Sequence, residues 1–193
     1  YLEFGAKGYG VQLVPTPDDR LIFKTEYVEC TDKKTSADNK IELAPAGAGE
    51  SKLSLLDPAH FCGDIVGYIN DWQVYHFHDT SESAAVKNPC NINDNDKLQA
   101  KAENLAAFLY SIKHTDAYHK IVKTVQRVAP FFQDFILQPD KLNQQRIRLR
   151  WKHQGSDDYF DAHSLSDGTL RFICLATLLL QPQLPSIILL DEP

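Results

Sequence analysis

The chain has 193 residues, of which 43% are hydrophobic, and it carries a formal net charge of −6. This length predicts one domain, or one domain with an inserted lobe, and the apolar content is sufficient for a substantial core. The negative charge gives no electrostatic support for nucleic-acid binding by the chain as a whole, and no apolar run reaches the length of a membrane span.

The first 80 residues have the pattern of a β-rich part. Apolar side chains alternate over residues 9–13 and again over 21–25, and the segment between them holds prolines and an aspartate pair, which are typical of a turn. A further short strand is predicted at 41–43. Residues 72–78 alternate between two partly apolar faces, which predicts a strand packed on both sides.

Residues 97–134 predict a helical lobe. Apolar residues recur at helical spacing over 97–113, and a second apolar stripe covers 117–128 and ends at a proline. The polarity then alternates in the manner of two strands, at 135–138 and 146–152. The basic residues of the second of these strands are predicted to form its solvent face.

Residues 164–193 hold the most specific pattern in the sequence. Ser166 is suited to cap a helix that continues to about residue 180, and Gly168 would let the backbone approach a ligand closely. The first N–H groups of such a helix and the positive end of its dipole form an anion site. An ordinary capped core helix is the structural alternative.

The chain then enters a short apolar segment, 187–190, which is followed by Asp191 and Glu192. Four apolar residues predict a fully buried strand, and ligands of α/β sheets bind outside the carboxyl ends of such strands. Asp191 is placed to hold Mg²⁺, which takes one or two carboxylates together with phosphate oxygens and water. Glu192 is placed to orient or deprotonate a water that attacks a γ-phosphate.

The order of these two motifs resembles the head of an ABC-type ATPase, in which a Leu-Ser-Gly-Gly-Gln signature helix leads into the Walker B strand. The sequences LSDGTLRF, from Leu165, and IILLDEP, from Ile187, resemble the variant found in RecF/SMC-related predicted ATPases. Asp167 stands in place of the first signature glycine, and Thr169 in place of the glutamine. Two further segments, WQVYHFHDTS and VAPFFQDF, are also similar to that group.

The resemblance implies an α/β fold in which residues 1–193 form part of an ABC-type P-loop NTPase head, with an antiparallel β subdomain and a helical lobe. ATP and Mg²⁺ are the implied cofactors, Asp191 the metal ligand and Glu192 the catalytic base. Two such heads enclose two nucleotides, which implies an ATP-dependent homodimer. The residues implied to contact the γ-phosphate bound to the second subunit are Ser166, Asp167, Gly168 and Thr169. DNA and a partner nuclease are further candidate partners, and no membrane partner is expected.

The sequence departs from that family in one essential element. A Gly-x-x-x-x-Gly-Lys-Ser/Thr loop is required for triphosphate binding, and this sequence holds no Gly-Lys pair. It also holds no methionine, even at position 1. We therefore expect a fragment that is inactive alone, with its phosphate loop before residue 1 and its D-loop and switch histidine after Pro193. Gln12 and Gln73 both remain candidates for the Q-loop.

Two other features have structural and functional interpretations. His76 and His78 form a His-x-His pair that can bind metal, with Asp79 next to it, but the sequence indicates no third ligand and a structural pair is favoured. Arg171 lies one turn into an apolar helix, where pairing with an acid or with phosphate is possible; we favour the structural pairing.

The cysteines form no Cys-x-x-Cys pair, and their even number only weakly indicates disulfides in a chain of this size. Their positions are Cys30, Cys62, Cys90 and Cys174. With no signal-peptide pattern, they predict a reducing, cytoplasmic context.

The leading functional hypothesis is an ATPase head that couples ATP binding and dimerisation to an output on DNA, in repair, maintenance or phage defence. The alternative is a nucleotide-gated module that binds DNA or protein without significant turnover. A third hypothesis is an α/β scaffold that binds no nucleotide.

Overall fold

The structure is a computed structural model that describes residues 1–31, 38–57, 59 and 63–191. The chain divides into two compact units, residues 1–72 and 73–193, and each has its own hydrophobic cluster. Within the described residues, no helix combines the length and the apolar character that a membrane span requires.

Among its described residues, the first unit is an antiparallel sheet with the strand order β1-β2-β3-β4, followed by one α-helix. Its elements are β1 (Leu2–Phe4), β2 (Lys7–Pro15), β3 (Leu21–Thr31), β4 (Asp38–Ala44) and α1 (Asp64–Asn70). The β2–β3 hairpin confirms the predicted strand pair and its turn. The sequence analysis missed α1, because two helical turns with Ile65 as their buried residue are too short to give a helical period.

A buried acid lies in this sheet. Glu26 is fully buried, and its carboxylate accepts hydrogen bonds from the Tyr9 hydroxyl at 2.7 Å, from the Lys52 N–H at 2.9 Å and from the Ser51 hydroxyl. Burial and the bond to this carboxylate raise the pKa of Tyr9 to about 12. The acid therefore has a complete set of structural partners within its own unit.

Among the described residues, the second unit holds three small sheets and three helices. Its strands are β5 (Trp72–Tyr75), β6 (Cys90–Asn91), β7 (Phe132–Phe135), β8 (Arg146–Ile147), β9 (Arg150–His153), β10 (Tyr159–Asp161) and β11 (Ile187–Leu190). Its helices are α2 (Leu105–Ser111), α3 (Asp116–Val128) and α4 (Asp167–Leu180). The sheets have the orders β10-β9-β7, β6-β8 and β11-β5.

Helices α3 and α4 pack against each other and form the centre of this unit. Ile121 and Val125 of α3 are fully buried, as are Leu170 and Ile173 of α4. Thr115 caps α3 by accepting the N–H of Tyr118. Both helices confirm the predicted elements at these positions, because a continuous apolar face fixes a helix more firmly than local propensity does.

The helix predicted over 97–113 is only partly present, since α2 begins at Leu105. Ala102 has a left-handed backbone with φ of 54°, which interrupts a helix. The buried side chain of Asn104 accepts the N–H of Gln99 at 2.9 Å and donates to two earlier backbone carbonyls. Because the Asn104 side chain bonds the backbone N–H and C=O groups that precede it, this part of the chain does not need helical hydrogen bonds. It forms a folded loop, and its apolar residues are buried within that loop.

The strands predicted after the lobe are shifted along the chain. β7 ends at Phe135, where the first strand was predicted to begin. For the strand predicted at 146–152, the alternation of buried and solvent-facing residues is confirmed, because Ile147, Leu149 and Trp151 are all buried. β10 was not predicted, because a strand of three residues is too short to show an alternation of apolar and polar side chains.

The cysteines do not all have the expected state. Cys30 is disulfide-bonded, whereas Cys90 and Cys174 carry free thiols. Burial in the core of the second unit raises the pKa of the Cys174 thiol to about 12. The expectation of reduced cysteines is thus met at two of these positions and wrong at the first. Cys62 lies outside the described residues.

The packing of α3 on α4 makes a first prediction. Replacing Ile121 with alanine removes a fully buried side chain, and we expect the free energy of unfolding to fall by about 2–5 kcal/mol. Replacing the exposed Lys123 of the same helix should change it by less than about 0.5 kcal/mol. Chemical denaturation followed by circular dichroism measures both, and equal effects would contradict the described packing.

Candidate functional site

The start of α4 is an exposed, capped helix N-terminus. The Ser166 hydroxyl accepts the N–H of Thr169 at 3.2 Å, and the two hydroxyl oxygens are 2.8 Å apart. Leu165 is buried beneath this loop, while residues 166–168 are exposed. The predicted cap is therefore present, and the helix presents its first N–H groups to solvent.

Gly168 has space around it. A Cβ placed at this position would meet no atom within 4 Å, and the backbone is not left-handed. Glycine in a helix costs about 0.5–1 kcal/mol relative to alanine. Within the described part of this chain, neither packing nor backbone conformation explains a glycine here.

Asp167 adds a negative charge to the first turn of α4. Its carboxylate lies 3.9 Å from the ammonium of Lys87, whose side chain is nearly buried and donates to the Thr80 carbonyl at 2.6 Å. An acid in the first turn is stabilised by the helix dipole. Lys87 thus places a fixed positive charge behind the exposed loop, a feature that the sequence did not indicate.

Asp191 follows β11 and lies beside the end of β5. Its N–H donates to the Tyr75 carbonyl at 3.0 Å, and its carboxylate lies 2.9 Å from Nδ1 of His76. The ligand atoms of His76, His78 and Asp191 all lie within 4.8 Å of one another. The structure therefore places Asp191 as a candidate third ligand, which the sequence did not indicate. Glu192, the predicted base, lies outside the described residues.

A surface cavity of about 730 Å³ adjoins the two histidines. It is lined by His76, His78, Asp79, Thr80, Ser81 and Lys101. Hydrogen bonds from Ser81 lower the pKa of Asp79. The cavity thus combines imidazole, carboxylate, hydroxyl and ammonium groups, which together can accept an anion and a cation in one place.

Arg171 connects α4 to this cluster. Its guanidinium donates to the backbone carbonyl of His78 at 3.0 Å, and its Nε is buried with no hydrogen-bond partner in the described part of the chain. The predicted pairing with an acid is therefore wrong for this bond, because its acceptor is a backbone carbonyl.

The segment around β5 differs from the prediction of a strand packed on both sides. Tyr75 and Phe77 are buried, whereas Val74 is 45% exposed and His78 is also exposed. The regular strand ends at Tyr75. Among the described residues the hydrophobic cluster contacts one face of this segment, which leaves the face that carries the histidines open to solvent.

β11 also differs from its prediction as a fully buried strand. Leu189 is 47% exposed, and Ile187 and Leu190 are exposed as well. Within the described residues β11 pairs with β5 alone, so most of its aliphatic surface is uncovered. The apolar composition was identified correctly, but the predicted burial is wrong within the described residues.

Comparison with known proteins gave one family. Residues 31–193 match the model of the family described as "AAA domain, putative AbiEii toxin, Type IV TA system". The match includes the whole of the second unit. No curated protein and no solved structure matches the chain.

The start of α4 makes a second prediction. Because Gly168 has no close neighbour, Gly168→Ala should raise the free energy of unfolding by up to about 1 kcal/mol. Ser166→Ala removes the cap and should lower it by about 1 kcal/mol. Thermal and urea unfolding of the two variants measure these changes. Destabilisation by Gly168→Ala would show that this position is more confined than described.

Proposed function

The chain belongs to this AAA domain family, and from that premise we propose that the protein binds and hydrolyses ATP with the head arrangement of RecF/SMC-like ABC ATPases. One observation carries the proposal: α4 begins at a solvent-exposed Ser166 cap, and the strand that follows it leads directly into Asp191, whose neighbour His76 lines a surface cavity. This order of elements supports the assignment of a signature helix that leads into a Walker B strand.

In this proposal Asp191 would help to hold Mg²⁺. Its carboxylate is 57% exposed at the end of β11, so water and phosphate oxygens can reach it, as Mg²⁺ requires. When bound, the ion neutralises charge on the phosphate groups. Glu192 is the proposed general base for the attacking water, and its place directly after Asp191 in the sequence supports that role.

The start of α4 is proposed to act on a nucleotide bound to a second copy of the protein. Residues 166–168 are exposed, and the described chain offers no reason for the glycine among them. The helix N-terminus attracts anions, and Lys87, 3.9 Å from Asp167, offsets the acid's charge. These features support contact of Ser166, Gly168 and Thr169 with a γ-phosphate, and hence an ATP-dependent homodimer.

The uncovered aliphatic surface of β11 supports a place in a larger sheet. Leu189 and its neighbours are exposed in the described chain, although parallel strands of α/β proteins are buried on both faces. We propose that the strand carrying the Gly-Lys-Ser/Thr phosphate loop covers part of this surface in the full-length protein. That loop, which this sequence does not contain, would bind the triphosphate.

The output is proposed to be a defence function. The family's description refers to a toxin of a toxin–antitoxin system, which supports defence over general DNA repair. The net charge of −6 does not support direct DNA binding by this chain. DNA or a nuclease would therefore be engaged through another part of the assembly.

The proposed base can be tested in the full-length protein. Glu192→Gln keeps the side-chain size but removes the proton acceptor, so phosphate release should fall at least about 100-fold while ATP binding persists. ATP should then hold the variant as a dimer, measured by light scattering. The matched control is Glu42→Gln, which alters an exposed residue of β4 and should have no effect.

Each outcome of this test decides between functions. Unchanged turnover in Glu192→Gln would contradict the assignment of the base. ATP binding without turnover in the unaltered protein would favour the nucleotide-gated binding module. A lack of ATP binding in calorimetry would contradict both.

The trans contact has a separate test. Gly168→Ala should weaken ATP-dependent dimerisation at least about tenfold, although it stabilises the isolated fold, because a methyl group would occupy the space into which the phosphate fits. Sedimentation measures dimerisation with and without ATP. Undiminished ATP-dependent association would contradict contact at this position.

A further inference from the structure

Two histidines and one aspartate come together at the end of β5. His76 and His78 are separated by 115 and 113 positions from Asp191 along the chain (191 − 76 and 191 − 78), and the pairing of β11 with β5 brings them into one cluster. Their ligand atoms lie within 4.8 Å of one another. No residue of the cluster is buried, so an ion and its further ligands can reach all three.

The backbone that carries the histidines is held in place. The His76 N–H donates to the Ala100 carbonyl at 2.8 Å, and the His78 carbonyl accepts from Arg171 at 3.0 Å. Between them, the ring of Phe77 is buried in the core. Because alternate residues of an extended segment point to the same side, both imidazoles are directed toward Asp191.

The separations suit a common ion. Nδ1 of His76 and Oδ2 of Asp191 are 2.9 Å apart, whereas two ligands of a tetrahedral ion with bonds of about 2.1 Å are separated by about 3.4 Å, so the two atoms would move apart by about 0.5 Å when the ion binds. Without the ion the same two atoms form a hydrogen bond. The ligand atoms of the cluster lie within 4.8 Å of one another, so His78 needs a shift of at most about 1.4 Å to reach a tetrahedral separation of about 3.4 Å, which an exposed side chain can make by rotation about its χ angles.

The donor set favours a particular class of metal. Mg²⁺ prefers six oxygens and binds imidazole poorly, whereas imidazole together with carboxylate suits Zn²⁺, Fe²⁺ and similar ions. Two nitrogens and one oxygen on one side of an ion leave its other positions open. The cavity of about 730 Å³ that His76 and His78 line provides room for water or phosphate oxygens at those positions.

We propose that His76, His78 and Asp191 form a binding site for a divalent transition-metal ion of the Zn²⁺ class, with open coordination positions toward the cavity. The ammonium of Lys101, which also lines the cavity, favours an anionic group there, such as a nucleotide phosphate. The ion binding itself does not depend on ATP hydrolysis. Because Asp191 cannot serve both ions at once, an ion of this class at the cluster would take the place of the Mg²⁺ proposed above. Only the assignment of phosphate to the open positions rests on the proposed function.

The test measures metal binding directly in the full-length protein without nucleotide. Metal-free protein is titrated with Zn²⁺ in a calorimeter and with Co²⁺ in a visible spectrometer, because Co²⁺ absorption reports nitrogen ligands and coordination number. The variants are His76→Gln, His78→Gln and Asp191→Asn, and the control is His119→Gln, which alters an exposed histidine of α3. Circular dichroism in the presence of chelator verifies that each variant is folded.

The expected result is one tight site per chain, with affinity lowered at least about tenfold by each of the three cluster variants and unchanged in His119→Gln. Zn²⁺ affinity in both histidine variants equal to that of the unaltered protein would overturn the proposal. So would a loss confined to Asp191→Asn, which indicates oxygen ligation alone.

A parallel assay separates this proposal from the proposed function. ATP hydrolysis is measured with Mg²⁺ and with Zn²⁺ or Mn²⁺ on the same preparations. Zn²⁺ binding that requires both histidines, without hydrolysis under any metal, would support the site and contradict the ATPase. Hydrolysis with Mg²⁺, unaffected by both histidine variants and with no Zn²⁺ site, would support the ATPase and overturn the metal proposal.

Discussion

Burial of α4 is the interaction on which the second unit depends. Leu170, Ile173 and Leu178 are inaccessible to solvent, and burying each such side chain contributes about 1.5–3 kcal/mol. The same helix begins at the exposed Ser166 loop, and through Arg171 it bonds to the backbone of His78. One apolar helix therefore positions both regions in which chemistry is proposed.

The sequence predicted those elements whose apolar residues repeat over several turns or along a hairpin. α3 and α4 were identified in this way, and so were β2 and β3. Prediction from the sequence failed where polar side chains, or contacts between distant parts of the chain, determine the local structure. The Asn104 side chain makes hydrogen bonds to the backbone that take the place of helical ones. The spacing of the apolar residues, which predicted a longer helix, does not reveal these bonds.

The candidate site was predictable only in part for the same reason. The Ser166 cap and Asp191 could be identified from local patterns, because capping and strand-end acids are short-range features. The approach of His76 to Asp191 depends on strand pairing across 115 positions, and the nearness of Lys87 to Asp167 depends on packing between separate segments. Neither follows from spacing along the chain.

The bond from Arg171 to His78 has a consequence for movement. The guanidinium donates a hydrogen bond to the main-chain oxygen of His78. This bond holds the peptide against α4 and leaves the imidazole of His78 available to bind a ligand. A displacement of α4 along its axis must either carry that peptide with it or break this hydrogen bond, in a side chain whose buried Nε already has no partner in the described chain. Because breaking the bond costs about 1 kcal/mol, we expect α4 and the histidine segment to shift together.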